Sequence, residues 1–238
     1  MPAKSTVDEI RQRFDADVER FSNLQTGQTT TVDAALVLEL IAEAAAAVTP
    51  GATDLLDIGC GAGNYALRLL AERPDLNVDL VDLSRPMLDR AVERVAPATS
   101  GTVQAIQSDV RDLSLEPERY DVVVAAAVLH HLRTDGEWDA VLAAVYRSLK
   151  PGGAFWISDL VAHTVPEIQA IMWRRYGEYL VGLEGEAYRD RVFAYVEKED
   201  SPRPLVEQLD RLRSAGFERV EVLHKASVFA AFGGVKAG

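Results

Sequence analysis

Three aspartates and a glycine-rich run stand at spacings that can hold a nucleoside. Asp57, Gly59, Gly61 and Gly63 lie in DIGCGAG, directly after the short apolar stretch 54–58. Glycines at alternate positions let the backbone take conformations closed to other residues, and let a ligand approach it closely. The run lacks the lysine of a nucleoside-triphosphate loop, and Asn64 and Tyr65 follow it where a dinucleotide fingerprint would carry a third spaced glycine. Alone it is also compatible with a plain tight turn. Asp82 ends a second apolar run, 77–83, and follows Gly59 by 23 residues. An acid at that distance accepts hydrogen bonds from ribose hydroxyls. Ser84, followed by Pro86, is the better cap for the next helix, which leaves Asp82 for a sugar.

Two further groups have chemical potential. His130 and His131 follow an apolar run, 120–127. An imidazole there can act as a base near neutral pH, the role expected of His130, or contact a substrate, the role expected of His131. A polar strand-end contact is the alternative. Adjacent histidines do not share a helix face and no HExxH pattern is present, so no metal site is expected. Trp173, Arg174, Arg175, Tyr176 and Tyr179 crowd one segment. Arginines beside rings can hold a carboxylate, which makes Trp173, Arg174, Arg175 and Tyr179 candidate substrate contacts and Tyr176 a candidate catalytic group. The alternative is an amphipathic helix with rings packed inward and arginines solvated. Cys60, inside the glycine run, reads as a small buried residue rather than a nucleophile.

The elements that must position these groups alternate in type. Helices are expected over 5–25, capped by Ser5 or Thr6, and from 32 or 33 to 48. Strands follow over 54–58, 77–83, 102–106, 120–127 and 154–159, separated by helices, the last of them 137–149. Such alternation gives right-handed crossovers and a parallel sheet that binds ligands at the carboxyl ends of its strands. The rhythm then breaks. An aromatic-rich helix is expected over 166–183, then a turn bracketed by Gly182 and Gly185, a helix over 205–214, and strands over 218–223 and 227–232, the last antiparallel.

DIGCGAGN, NVDLVDL, QSDVRDL and LKPGGAFWIS, in that order over roughly residues 50–160, resemble the class I S-adenosylmethionine-dependent methyltransferases. The resemblance implies an α/β, Rossmann-like, seven-stranded and mostly parallel sheet with helices on both faces. It implies S-adenosyl-L-methionine as cofactor and S-adenosyl-L-homocysteine as product. Cofactor contacts are implied for Asp57, Gly59, Cys60, Gly61, Gly63, Asp82, Leu83, Met87, Asp109, Val110 and Ala126, with Asp82 at the ribose and Asp109 at the adenine amine. Segments before the first strand often cover the cofactor in this family, so Phe14, Phe21 and the Thr26-Gly27-Gln28 loop are a candidate lid. The FDADVERFSN opening, the LRSAGFERVEVLHK turn and the FAAFGGVKA strand resemble one subgroup, the carboxy-S-adenosyl-methionine synthase and tRNA uridine-oxyacetate methyltransferase-like proteins. The synthase's lysine-arginine pair is missing from Tyr188-Arg189-Asp190-Arg191-Val192-Phe193. Either Arg191 substitutes, or the ordinary cofactor is used; the general form of DIGCGAGN favours the ordinary one.

A formal charge of −12 over 238 residues disfavours nucleic acid and anionic lipid as partners. No stretch reaches the length of a membrane span, and the start of the chain is charged rather than signal-like, so a cytoplasmic setting is expected. One domain is expected: a helical cap over 1–50, a cofactor-binding core over 51–159, a helical insert over 160–204, and a closing helix and strand pair over 205–238. The expected activity is methyl transfer to a small acceptor, anionic or carboxylate-bearing, by a chain that is free to form a homodimer. The alternatives are a synthase-like enzyme of tRNA wobble-uridine modification and a cofactor-binding protein without turnover.

Overall fold

The structure, a computed structural model, describes residues 4–23 and 28–238. Helices α1 (Val7–Ala16), α2 (Val18–Ser22) and α3 (Ala34–Val48) precede the sheet. Then come β1 (Asp54–Ile58), α4 (Asn64–Glu72), β2 (Asn77–Asp82), α5 (Arg85–Val95), β3 (Val103–Gln107), β4 (Tyr120–Ala126), α6 (Asp135–Ser148) and β5 (Leu149–Leu160). The chain ends with α7 (Pro166–Glu184), α8 (Glu186–Glu199), α9 (Leu205–Ala215), β6 (Arg219–Ala226) and β7 (Phe229–Val235). The sheet order is β3-β2-β1-β4-β5-β7-β6, with β1 to β5 mutually parallel and β7 antiparallel to both its neighbours. The expected α/β architecture is the one observed.

Burial explains the order. Every residue of β1 is buried, as a strand covered on both faces requires. Because side chains alternate across a strand, successive residues feed two separate cores. Leu55, Val122, Val124 and Trp156 pack with α3, α4 and α5 through residues such as Ile41, Leu69 and Ala91. Leu56, Ile58, Val123 and Phe155 pack with α6 and α9 through Trp138, Leu142 and Leu212. A third cluster joins α7 and α8 to the end of β5 through Tyr176, Leu180, Val196 and Leu160. That last cluster stands above the carboxyl edge of the sheet and forms a roof.

Several boundaries differ from expectation for physical reasons. The helix expected over 5–25 is two, interrupted at Asp17, and residues 24–25 lie outside the described residues. Thr6, not Ser5, is its cap, in a reciprocal box with Glu9. The segment after Gly185, placed in the helical insert without an element of its own, is α8. Its apolar residues Tyr188, Val192, Tyr195 and Val196 follow helical spacing, a signal masked by Phe193. Strand β5 begins at Leu149 because Leu149 pairs with Tyr120 before the Gly152-Gly153 irregularity. The last strand runs to Val235 and inserts between β5 and β6, a pairing that local sequence does not encode.

Candidate functional site

The glycine run follows β1 with positive φ at Gly59 and Gly61, and its turn is pinned from β2: the Asp82 carboxylate accepts the Gly61 N–H at 2.8 Å and the Ser84 N–H at 2.8 Å. Ser84 caps α5, its hydroxyl accepting from the Met87 N–H at 3.3 Å. Asp57, at 1 % exposure, accepts the Ala66 N–H at 3.2 Å and so ties β1 to α4. Asp109 follows β3 and is gripped by Arg111, whose backbone N–H and Nε donate to Oδ1 and whose other nitrogen donates to Oδ2. A carboxylate offers about four acceptor positions, so Asp82 and Asp109 both keep capacity for a ligand.

These residues surround a cavity of about 440 Å³, within the range of small-molecule sites. Asp57, Gly59, Cys60, Gly61, Asp82, Leu83, Met87, Asp109, Val110 and Ala126 all line it. Gly63 does not. Its φ of +82° and the 2.8 Å approach of an added Cβ to Val95 make it a packing glycine between α4 and α5. Phe14 and Phe21 lie over the cavity with ring centroids 5.7 Å apart, and Gln28 joins them; Thr26 and Gly27 lie outside the described residues.

The residues expected to contact a substrate are placed differently from the sequence expectation. His130, His131 and Tyr176 line the cavity, whereas Trp173, Arg174, Arg175 and Tyr179 do not. Trp173 packs edge-on against Phe193 at 5.0 Å, and the Tyr179 hydroxyl donates to the Thr29 carbonyl at 2.8 Å. Arg174 and Arg175 both ion-pair with Glu178 at the exposed surface of α7. The amphipathic alternative therefore describes this helix. Tyr176 donates its hydroxyl to the Thr30 carbonyl at 3.0 Å, and burial raises its phenol, so it stays protonated and anchors the loop. Residues that sequence reasoning missed come mostly from the roof and from β5: Tyr188, Val192, Tyr195, Asp159 and Asp200 line the same cavity, as does Arg191, which the sequence offers as a substitute for the synthase's arginine.

Charge is unevenly distributed around it. Burial drives Asp57 up to about 7, against the Ala66 N–H bond and with help from the charge of Asp82. Burial likewise drives Asp82 up to about 6, against the N–H bonds from Ser84, Gly61 and Leu83. For Asp109, burial works upward, but the Arg111 guanidinium wins and holds it below the usual range. Burial pushes the Cys60 thiol far up, so it is no nucleophile. Burial favours neutral His130, yet Asp159 and Asp200 overcome it and lift the ring to about 9. A charged imidazole donates rather than accepts, and the Nδ1 of His130 faces the Asp159 carboxylate. Burial, with His130 beside it, keeps His131 well below its ordinary value and neutral.

Residues 56–155 match the family described as a methyltransferase domain. The chain belongs to the class I S-adenosyl-L-methionine-dependent methyltransferases, and its cofactor is S-adenosyl-L-methionine. It is 30% identical over 198 residues to the carboxy-S-adenosyl-L-methionine synthase of Shewanella amazonensis, covering 79% of this chain and 78% of that protein. It is 30% identical over 230 residues to a ubiquinone/menaquinone biosynthesis C-methyltransferase of Desulfotalea psychrophila, covering 94% and 87%. The fold superposes on human N-acetylserotonin methyltransferase, solved in complex with its cofactor, with a TM-score of 0.65 at 19% identity over all of this chain. The chain spans 61% of that longer one. Among the described residues no helix is long and apolar enough to cross a membrane.

The residues fit this cofactor. The positive-φ glycine turn offers close backbone approach, and buried carboxylates keep free acceptor positions at the ends of β2 and β3. A cationic ligand with hydroxyls favours ionised Asp57 and Asp82. Both groups are protonated below their raised values, so affinity must rise with pH through about 6 to 7. Calorimetry should show affinity for S-adenosyl-L-methionine at least about tenfold stronger at about pH 7.5 than at about pH 5.5, with proton release on binding. A flat profile would mean that neither carboxyl meets the cofactor.

Proposed function

We propose that the chain transfers a methyl group to a small acceptor that carries an anionic group, held between the roof and the end of β4. The observation that carries this reading is a cavity lined by the glycine turn and the ends of β2 and β4 together with residues of α1 and α8. When bound, the cofactor supplies a methyl group activated by a positively charged sulfur. The protein then has to orient and enclose. Asp82 would accept from the ribose hydroxyls, and Asp109 with Val110 would receive the adenine. Phe14 and Phe21 exclude water from above, and Tyr188 and Tyr195 give the acceptor an aromatic wall. Holding the reacting atoms in line supplies most of the acceleration such a displacement needs. His130, His131 and Asp200 line the same cavity and would face the acceptor.

Arg191 replaces Arg174 and Arg175 as the anion contact. Of the arginines lining the cavity, Arg13 is engaged by Glu199 and Arg111 by Asp109 at close range, Arg20 lies over Phe21 on α2, and Arg191, 3.9 Å from Glu184 and over Tyr188 at 5.4 Å, is the one carried by the roof. Acceptors that release S-adenosyl-L-homocysteine are found by screening acids, amines and thiols. With the best anionic acceptor, Arg191→Ala should raise KM about tenfold, one charge-assisted bond discounted for exposure, and leave cofactor affinity unchanged. Arg175→Ala should leave both unchanged. Equal effects of the two substitutions would remove Arg191 from the site.

A second reading has support from the identity to carboxy-S-adenosyl-L-methionine synthases and from the place of Arg191 on the cavity wall. There the anion would be a carboxylate on the cofactor itself. The mass of the nucleoside carried through purification separates the two readings, because a carboxylated sulfonium is heavier than its parent.

A further inference from the structure

We infer that His130, His131 and Asp200 form a binding site for one divalent transition-metal ion, open to the cavity. Each residue presents a ligand atom, and the three atoms lie within 4.8 Å of one another. Asp200 Oδ1 is 3.5 Å from His130 Nε2 and 3.6 Å from His131 Nδ1. These separations are long for hydrogen bonds. They suit two donors sharing one ion, since nitrogen and oxygen ligands at about 2.0–2.1 Å in a tetrahedral set stand about 3.3 Å apart. Asp200 Oδ1 and both His131 ring nitrogens are buried without a hydrogen-bond partner among the described residues. Such groups are costly to bury unless something binds them.

The surroundings match a metal centre. His130 is oriented through its other nitrogen: Nδ1 bonds to Asp159, whose second oxygen accepts the His130 backbone N–H at 3.0 Å. A carboxylate behind a histidine fixes the ring and raises its basicity as a ligand. The Ser201 N–H donates to the His130 carbonyl at 2.7 Å and holds Asp200 beside the pair. Asp159, Asp200 and Glu199 bring three carboxylates to this corner, with Arg13 paired to Glu199, so a cation that takes the place of the His130 proton meets acidic surroundings. Two imidazoles and one carboxylate suit zinc, cobalt, nickel or ferrous iron rather than magnesium or calcium. All three residues line the cavity, so an ion there, displacing the Nε2 proton of His130, keeps a position for an acceptor oxygen or nitrogen.

The test needs no methyl transfer and therefore stands apart from the proposed function. The untagged full chain, stripped with a chelator, is titrated with Co²⁺ and read by its visible absorption, then competed with Zn²⁺. One Co²⁺ per chain is expected. His131→Ala and Asp200→Asn should weaken binding by at least about 100-fold, and Asp159→Asn, which acts through His130, by about 10–100-fold. The double variant His163→Ala/His224→Ala, which removes the other two histidines, should bind as the parent does. Circular dichroism shows which variants are folded, and Asp200→Asn, equal in size to the native residue, decides if His131→Ala is not. Absence of stoichiometric Co²⁺ binding by the parent chain overturns the inference, as does unchanged binding by a folded His131→Ala or Asp200→Asn.

Discussion

Asp82→Ala is expected to weaken binding of S-adenosyl-L-methionine by about two to four orders of magnitude. Two hydrogen bonds to an ionised carboxylate are worth about 1.5–3 kcal/mol each, and every 1.4 kcal/mol is about tenfold in affinity. The side chain also has an internal task. It accepts the Gly61 and Ser84 N–H groups, so its removal frees the glycine turn as well as the proposed ribose contact. Asp82→Asn keeps the shape and one acceptor oxygen but sets its NH2 against the Gly61 or the Ser84 N–H, so it should lose part of the turn's stability as well as at least about tenfold in affinity, and less of both than Asp82→Ala. Calorimetry on both variants, with melting curves as a folding check, measures this. An affinity within threefold of the parent in Asp82→Ala would take Asp82 out of the cofactor site.

The second large effect is structural in origin and functional in consequence. Gly59 has φ of +66°, and a Cβ placed there would come within 2.8 Å of both Cβ and Cγ2 of Val128. Gly59→Ala therefore combines a left-handed backbone cost of about 1 kcal/mol with an overlap that costs about 1–3 kcal/mol more. Val128 cannot yield freely, because the His131 N–H donates to its carbonyl at 3.1 Å and the turn Leu129–His131 follows directly. Relief of the overlap would move the His130–His131 corner. Gly61→Ala is the matched comparison. Its φ is also positive, at +51°, but an added Cβ meets nothing within 4 Å, so only the backbone cost of about 1 kcal/mol applies. Urea denaturation should give Gly59→Ala at least twice the loss of Gly61→Ala. Equal losses would mean that the close approach to Val128 is not a constraint.

The parts of this chain that were legible in its sequence are those governed by local physics. An apolar run between turn residues has few alternatives to a buried strand, so β1, β2 and β4 stood close to their observed bounds. Ser84 was a readable cap, which left Asp82 for a ligand. Motif order carried the family and hence the cofactor, because a glycine turn and two strand-end acids must converge once the strands are parallel and adjacent. The helix from 186 to 199 was also within reach, had the spacing of Tyr188, Val192, Tyr195 and Val196 been weighed above its aromatic content.

Tertiary structure alone decided which face of each roof helix meets the cavity. Arg174 and Arg175 point away from it and Arg191 lines it, because the rotation of a helix about its axis is set by what packs beneath: here Tyr176 and Leu180 from α7, and Val196 from α8. Strand β7 lies between β5 and β6 because pairing depends on partners far away in sequence. Asp200 reaches the histidines after β4 for the same kind of reason: the roof folds back over the sheet edge and the Ser201 N–H bonds to the His130 carbonyl. Periodicity along one segment carries no information about such meetings. They follow from burying the roof's apolar surface, and that choice is made by the whole chain at once.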